Sequence, residues 1–306
     1  MITRHVRSGI TWVDMESPTR QELDDVIAEF GIDPRIEEEI ISPTPYPVVV
    51  DTENYVYLVL HFPTTDPNGG AKSQEIDFIA GKHFLITCRY ELITTIHSLH
   101  KVFESEELLG IGGKRKPSNA DLIERVLRHL YSAISEEAEQ FARMLERIEE
   151  DIFSGRERAT VRSISLVGRV LLRFDTTLAR HTEPLKEFLK QLSSPVFFGK
   201  SFEEHAAHIE AEHTHAITIV TSYREVAAEL RETNDSILST LQNEIIQRLT
   251  VVTFAAVPLT IIAGLFGMNI SGIPLANSSH GFFVVVGLMV ITVLVLITYF
   301  KAKKWI

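Results

Sequence analysis

Between Leu249 and Phe300 the chain carries no Asp, Glu, Lys or Arg. Two apolar runs, 249–266 and 281–300, flank a stretch, 267–280, that is mostly small or polar and begins Gly267-Met268-Asn269. As helices, the runs reach or nearly reach the length needed to cross about 30 Å of hydrocarbon. One span would serve as an anchor. Two spans joined by a tight uncharged loop suit a different task, holding a small polar element at one mouth of a pore.

Charge divides the 306 residues in the same place. Residues 249–306 hold Lys301, Lys303 and Lys304 and no acid, so residues 1–248 hold 27 basic and 41 acidic residues, a net −14. An acidic soluble part argues against nucleic acid, whose recognition needs a basic surface, and favours cations as partners. Cys88 is the single cysteine, so no internal disulfide is possible, in keeping with a reducing compartment. Residues 1–8 contain no apolar segment of a signal peptide. Three lysines directly after the second run predict a cytoplasmic C-terminus, with Tyr299 and Trp305 in the interfacial belt. Two spans then place the N-terminal part in the cytoplasm as well, the loop outside, and the lipid bilayer of a plasma membrane around both spans.

Residues 1–109 read as an α/β domain. Runs rich in Val, Ile, Tyr and Phe at 46–51, 55–62, 75–79 and 84–88 predict strands. Glu53-Asn54, the stretch 66–72 with Pro67, Gly69 and Gly70, and Gly81-Lys82 separate them. A helix opens at Ser17-Pro18-Thr19 with proline in its first turn, and 33–41 and 94–107 are further helices. A linker rich in Gly and basic residues, 110–117, follows. Residues 118–248 then read as long helices including a stalk: 119–153, ended by Ser154-Gly155, and 156–192, with Gly168 and Pro184 as its kinks. After Ser193-Ser194-Pro195 and Gly199, a single helix from 201 to 266 contains only Pro258 and Gly264 as breakers. At 1.5 Å per residue it is near 90 Å long. A helix of that length needs partners, and copies of itself are the simple choice.

Along this helix Ser236, Ser239, Asn243, Ile246, Thr250, Thr253, Val257 and Thr260 follow a 3-4-3-4 spacing. Such spacing places them on one stripe of a gently supercoiled helix. Hydroxyls in a membrane helix can also join helices or bond back to their own carbonyls. The stripe runs from the soluble part into the span and ends near Asn269, which favours a pore-lining seam. Ile246 and Val257 would be apolar constrictions able to gate by dewetting, and Leu249 is a further candidate.

With Gly267-Met268-Asn269 directly after the first of two C-terminal spans, a long preceding helix, an α/β N-terminal domain and a basic tail, the whole chain resembles the CorA family of divalent-cation transporters. The resemblance implies a homopentameric, funnel-like channel whose first span, 249–266, lines the pore. Five loops 267–280 carrying Gly267, Met268 and Asn269 would then form the selective outer mouth, with 281–300 as the second span and 301–306 as a basic cytoplasmic tail. The chemistry agrees. Mg2+ sheds water reluctantly, and a ring of neutral amide oxygens can hold those waters without stripping them, where carboxylates would slow release. Gly267 permits the turn, and Met268 packs the loop. The loop departs from the family's magnesium pattern: where Met-Pro-Glu-Leu is common, this chain has Ile273-Pro274-Leu275-Ala276 and no acid anywhere in 267–280. Ser271-Gly272-Ile273-Pro274 looks more like the zinc-transporting branch.

The expected activity is therefore not enzymatic. It is uptake of Mg2+, driven by membrane potential and gated by intracellular divalent ions. The alternatives are a Zn2+ transporter of the same fold, with proton coupling, and a non-conducting membrane-tethered metal sensor. Co2+ and Ni2+ are further cations such a pathway could carry. His205, His208, Glu212 and His215, at 3-4-3 spacing within a His- and Glu-rich run, are candidate ligands of a regulatory metal, and the imidazoles suit transition metals better than Mg2+. Asp77 and Glu91 are weaker acidic candidates, and His97 and His100 read as surface residues. Lys301, Lys303 and Lys304 could ring the cytoplasmic pore neck or simply set topology and contact lipid.

Overall fold

A computed structural model describes residues 1–66, 69–109, 118–268, 280–303 and 305. The expected linker 110–117 lies outside them. The chain forms two compact units, 1–231 and 232–306.

The first unit is built on six strands: β1 (Ile2–Arg7), β2 (Ile10–Glu16), β3 (Val48–Asp51), β4 (Tyr55–Thr65), β5 (Ala71–Gly81) and β6 (Phe84–Arg89). They are ordered β1-β2-β6-β5-β4-β3. The β2–β6 pair is parallel and all others are antiparallel. β4 is buried along nearly its whole length, so the sheet is covered on both faces. On one face, α1 (Arg20–Phe30) and α2 (Pro34–Ile41) set Leu23, Val26, Ile36 and Ile40 against Val13, Tyr57, Val59 and Ile86. The helices α4 (Asn119–Asp151), α5 (Glu157–Ala179) and α6 (Thr182–Leu192) pack on β4. Each element has a local cause. A Thr19–Glu22 capping box starts α1, so Pro18 precedes the cap and does not sit in the first turn. Asp33 caps α2, with Pro34 at the position that tolerates proline best. Ser118 and Asp121 form the capping box of α4. Gly155, at φ 81°, turns the chain back into α5.

Two strands and one break depart from the sequence reading. β1 and β2 carry Arg4, His5, Asp14 and Glu16 among their apolar residues, which hides them. The helix expected over 156–192 divides at Arg180–His181, not at Gly168 or Pro184. Pro184 falls in the first turn of α6, where its missing N–H costs nothing. His100 is buried in α3 (Thr94–Leu109), where its Nε2 lies 2.9 Å from Asp14 Oδ2 and its Nδ1 2.9 Å from His5 Nε2. It faces the sheet beside Ile96 and Leu99, while His97 is exposed.

After a short 3-10 turn, Gly199–Phe202, the long helix is present as expected: α7, Glu203–Phe266, with Pro258 inside it. The last helix is α8, Gly281–Ala302. These two are the described helices long and apolar enough to cross a membrane.

Candidate ion pathway

In the unit 232–306, Ser236, Ser239, Asn243, Ile246, Leu249, Thr253, Val257 and Thr260 are exposed and Thr250 is half-buried. On the same helix Gln247, Val251, Ala255, Pro258, Ile262 and Phe266 are half-buried at 3–4 spacing. At 3.6 residues per turn the mean direction of the stripe from Ile246 to Thr260 lies roughly 150° around α7 from this half-buried face. The hydroxyls and the apolar side chains Ile246, Leu249 and Val257 therefore line a surface that the rest of the unit leaves open. The hydroxyls also have internal partners. Thr250 Oγ1 donates to Ile246 O (2.7 Å), Thr253 Oγ1 to Leu249 O (2.9 Å) and Thr260 Oγ1 to Ala256 O (2.9 Å). Each hydroxyl oxygen keeps its acceptor capacity, so the stripe offers acceptors without a charge.

At its C-terminal end α7 closes with Gly267 N–H donating to Ala263 O at 2.8 Å. A Cβ on Gly267 would stand 2.8 Å from that same carbonyl oxygen, closer than a real side chain tolerates. Glycine is required there by close approach. Met268 is 48% exposed, with half of its surface outside any packing in this chain. Asn269 and the rest of the stretch to 279 lie outside the described residues, as does Lys304. Lys301 occupies the last turn of α8 and Lys303 its C-cap, both exposed, where a cation complements the helix dipole.

The His/Glu run of α7 falls in the other unit. His205 Nδ1 lies 2.5 Å from Glu124 Oε2 and His208 Nδ1 2.9 Å from Glu124 Oε1. Arg128 adds Nη1 to Glu124 Oε1 at 3.1 Å and places Nε 3.7 Å from Glu212. His215 is exposed. The four residues read from spacing thus divide: two imidazoles converge on one carboxylate, Glu212 turns to an arginine, and His215 faces outward. No group of three or more His, Cys, Asp or Glu side chains is arranged to hold a metal among the described residues. Burial opposes ionisation of Glu124, but the bonds to His205, His208 and Arg128 outweigh it and hold the carboxyl below its ordinary pKa. Glu124 was not singled out by sequence; its only signal is a place one turn after the Ser118–Asp121 capping box. Asp77 is fully buried, and desolvation with the neighbouring Glu75 charge pushes its pKa well up, which makes it a poor cation ligand. Glu91 is bonded to Lys72.

The family model described as CorA-like Mg2+ transporter protein matches residues 7–303. The chain is 27% identical to the cobalt/magnesium transport protein CorA of Thermotoga maritima, over 97% of this chain and 83% of that one. The structure of the CorA magnesium transporter from Methanocaldococcus jannaschii superimposes with a TM-score of 0.81 at 22% identity, covering 97% of this chain and 92% of that one. The cytoplasmic domain of ZntB from Vibrio parahaemolyticus shares the fold at a TM-score of 0.60 and 13% identity, over 76% of this chain and 89% of that domain. The chain belongs to the CorA family.

Proposed function

We propose, from this family membership as premise, that the protein is a channel-like transporter of divalent cations that takes up Mg2+. In this reading five copies surround a common axis, α7 lines the path, and Gly267, Met268 and Asn269 form the outer selective mouth. The observation that carries it is the uncharged hydroxyl and amide stripe, Ser236 to Thr260, which lies open on α7 and leads to Gly267. A path of neutral acceptors suits an ion that keeps its waters. Residues 249–266 and 281–300 are then the spans, and both ends of the chain lie in the cytoplasm. No nucleotide hydrolysis is required, since moving two charges down an inward-negative potential is worth roughly 4.6 kcal/mol per 100 mV.

Intracellular cations would gate the path by binding the closed assembly better than the open one. His205, His208 and Glu124 bond one another within one copy, so a regulatory site there would need them to re-orient and would take further ligands from a neighbouring copy.

Uptake into liposomes under an inward-negative potential tests the reading, with Mg2+, Co2+ and Zn2+ side by side, wild type against Asn269→Ala, at two external pH values. Voltage-driven Mg2+ uptake that is insensitive to pH and falls at least tenfold in the variant is expected. Zn2+ uptake that rises with an inward proton gradient would move the protein to the zinc branch that Ser271-Gly272-Ile273-Pro274 resembles. No flux of any ion would leave a membrane-tethered sensor.

A further inference from the structure

The unit 1–231 contains a cleft of about 830 Å³ that the transport reading does not use. One wall comes from the end of the β4–β5 hairpin and the segment before β3; the other is α5 and its C-cap. The α5 wall presents Arg169, Arg173 and Arg180. Arg169 Nε donates to Ser165 O (3.3 Å) and Arg173 Nη1 to Ala71 O (2.8 Å). Among the described residues no carboxylate is paired with any of the three. Residues 156–180 hold six arginines against two acids, Glu157 and Asp175, inside a part of the chain whose net charge is −14. Glu157 is buried, and Asp175 is taken by Thr221 and Arg224, both at 2.8 Å. The one carboxylate on the cleft wall, Asp66, accepts the Gly70 N–H at 2.9 Å and so is tied into its own turn.

Arg180 has a structural reason to sit at the end of α5, where a cation complements the dipole. Arg173 ties α5 to the start of β5 through Ala71 O, and Arg169 bonds only a carbonyl of its own helix, so both keep guanidinium N–H groups to spare. An acidic protein that holds three guanidiniums in one concavity against a single carboxylate, Asp66, offers a seat for an anion, and the planar fork of arginine matches phosphate oxygens two at a time. The rest of the wall is mixed: His61, Ser73, Thr176 and Thr177 are polar, and an apolar patch lies beside them. Leu166 and Leu172 are 37% and 50% exposed and line the cleft with Pro45 and Pro47. The volume lies in the range of small-molecule sites, roughly 300–1,000 Å³, and exceeds what a lone phosphate fills.

We propose that this cleft binds a nucleoside oligophosphate. Arg169, Arg173 and Arg180 take the phosphates, and the leucine and proline wall covers the base. The inference stands apart from the ion path: binding is read without any flux, so either can fail alone.

The test is equilibrium dialysis of the full chain in detergent against radiolabelled adenosine triphosphate, with EDTA present so that no metal bridges ligand to carboxylate. Saturable binding is expected, weakened about 100-fold in an Arg169→Gln/Arg180→Gln variant, partly restored in Arg169→Lys/Arg180→Lys, and unchanged in Arg158→Gln, which lies outside the cleft. Leu172→Gln should weaken the nucleotide but not inorganic triphosphate. An unchanged melting temperature in each variant shows that the fold is kept. Absence of saturable binding up to millimolar ligand, or equal binding in the Arg169→Gln/Arg180→Gln variant, would overturn the proposal. Inorganic triphosphate binding as tightly as the nucleotide would overturn the nucleoside assignment.

Discussion

His181 is fully buried, and its two ring nitrogens are both engaged. Nε2 faces the His61 carbonyl at 2.9 Å and must donate, so Nδ1 accepts the Tyr131 hydroxyl at 3.0 Å. Only the neutral ring can do both. Burial, with the nearby His213 and His61, lowers its pKa to about 3 against the bond to the His61 carbonyl. An unfolded histidine titrates near its ordinary value, so below about pH 6.5 the unfolded chain binds a proton that the folded one refuses. Stability from this group is complete above about pH 6.5 and is lost progressively as pH falls toward 3, by on the order of 4 kcal/mol. His181→Gln keeps an acceptor and a donor but removes the titration. The variant should lose about 1–3 kcal/mol at neutral pH through imperfect geometry, and its stability should fall less steeply than wild type between pH 6.5 and 3. Urea unfolding of the full chain in detergent across that range measures it; parallel pH profiles would refute the role of His181.

Elements were legible where one periodicity or one breaker dominates. The Ser17-Pro18-Thr19 start, the Ser154-Gly155 break and the long stretch after Ser201 with only Pro258 and Gly264 announce their helices. β4 and β6 are largely apolar runs, whereas β5 carries Lys72, Ser73, Gln74 and Glu75 near its start and is legible only from Glu75 on. β1 and β2 were hidden because their polar residues serve a tertiary network: Asp14 takes Thr87, Arg89 and His100 at 2.6, 2.9 and 2.9 Å. The same limit applies to the site. The seam of α7 is one helix read by its own spacing, whereas the meeting of Glu124 with His205 and His208 joins residues 81 and 84 positions apart. Pro258 is an element whose effect can be isolated. It sits in the half-buried face of α7, and lacking an N–H it leaves the Phe254 carbonyl without its helical donor. Proline costs about 3 kcal/mol relative to alanine in a helix interior, part of which neighbouring groups recover in a membrane. Pro258→Ala should raise the melting temperature of the detergent-solubilised protein by a few degrees. A lower melting temperature would show that the ring, not the backbone, is what this position contributes.

At the scale of the whole molecule, the apolar windows of α7 and α8 are 0% and 6% buried within one chain. Lipid can cover Phe282, Phe283, Val290 and Leu294, whereas the stripe's Ser236, Ser239 and Asn243 precede the span and its Thr250, Thr253 and Thr260, within the span, bond back to their own carbonyls. In the proposed pentamer the stripe meets water along the common axis. Cysteine accessibility separates this arrangement from helices merely glued together. The wild type is a suitable background, since Cys88 is buried and desolvation, with Asp77 and Asp14, pushes its thiol well above the ordinary pKa. Ser239→Cys and Asn243→Cys place thiols on the stripe, and Val290→Cys places one on exposed α8. A water-soluble cationic thiol reagent should leave wild-type and Val290→Cys flux unchanged and reduce Ser239→Cys and Asn243→Cys flux at least tenfold, with Mg2+ slowing the modification. If the stripe is helix-to-helix glue, the two thiols will be unreactive or their modification will dissociate the assembly, which size-exclusion chromatography reads, and the pore-lining assignment falls.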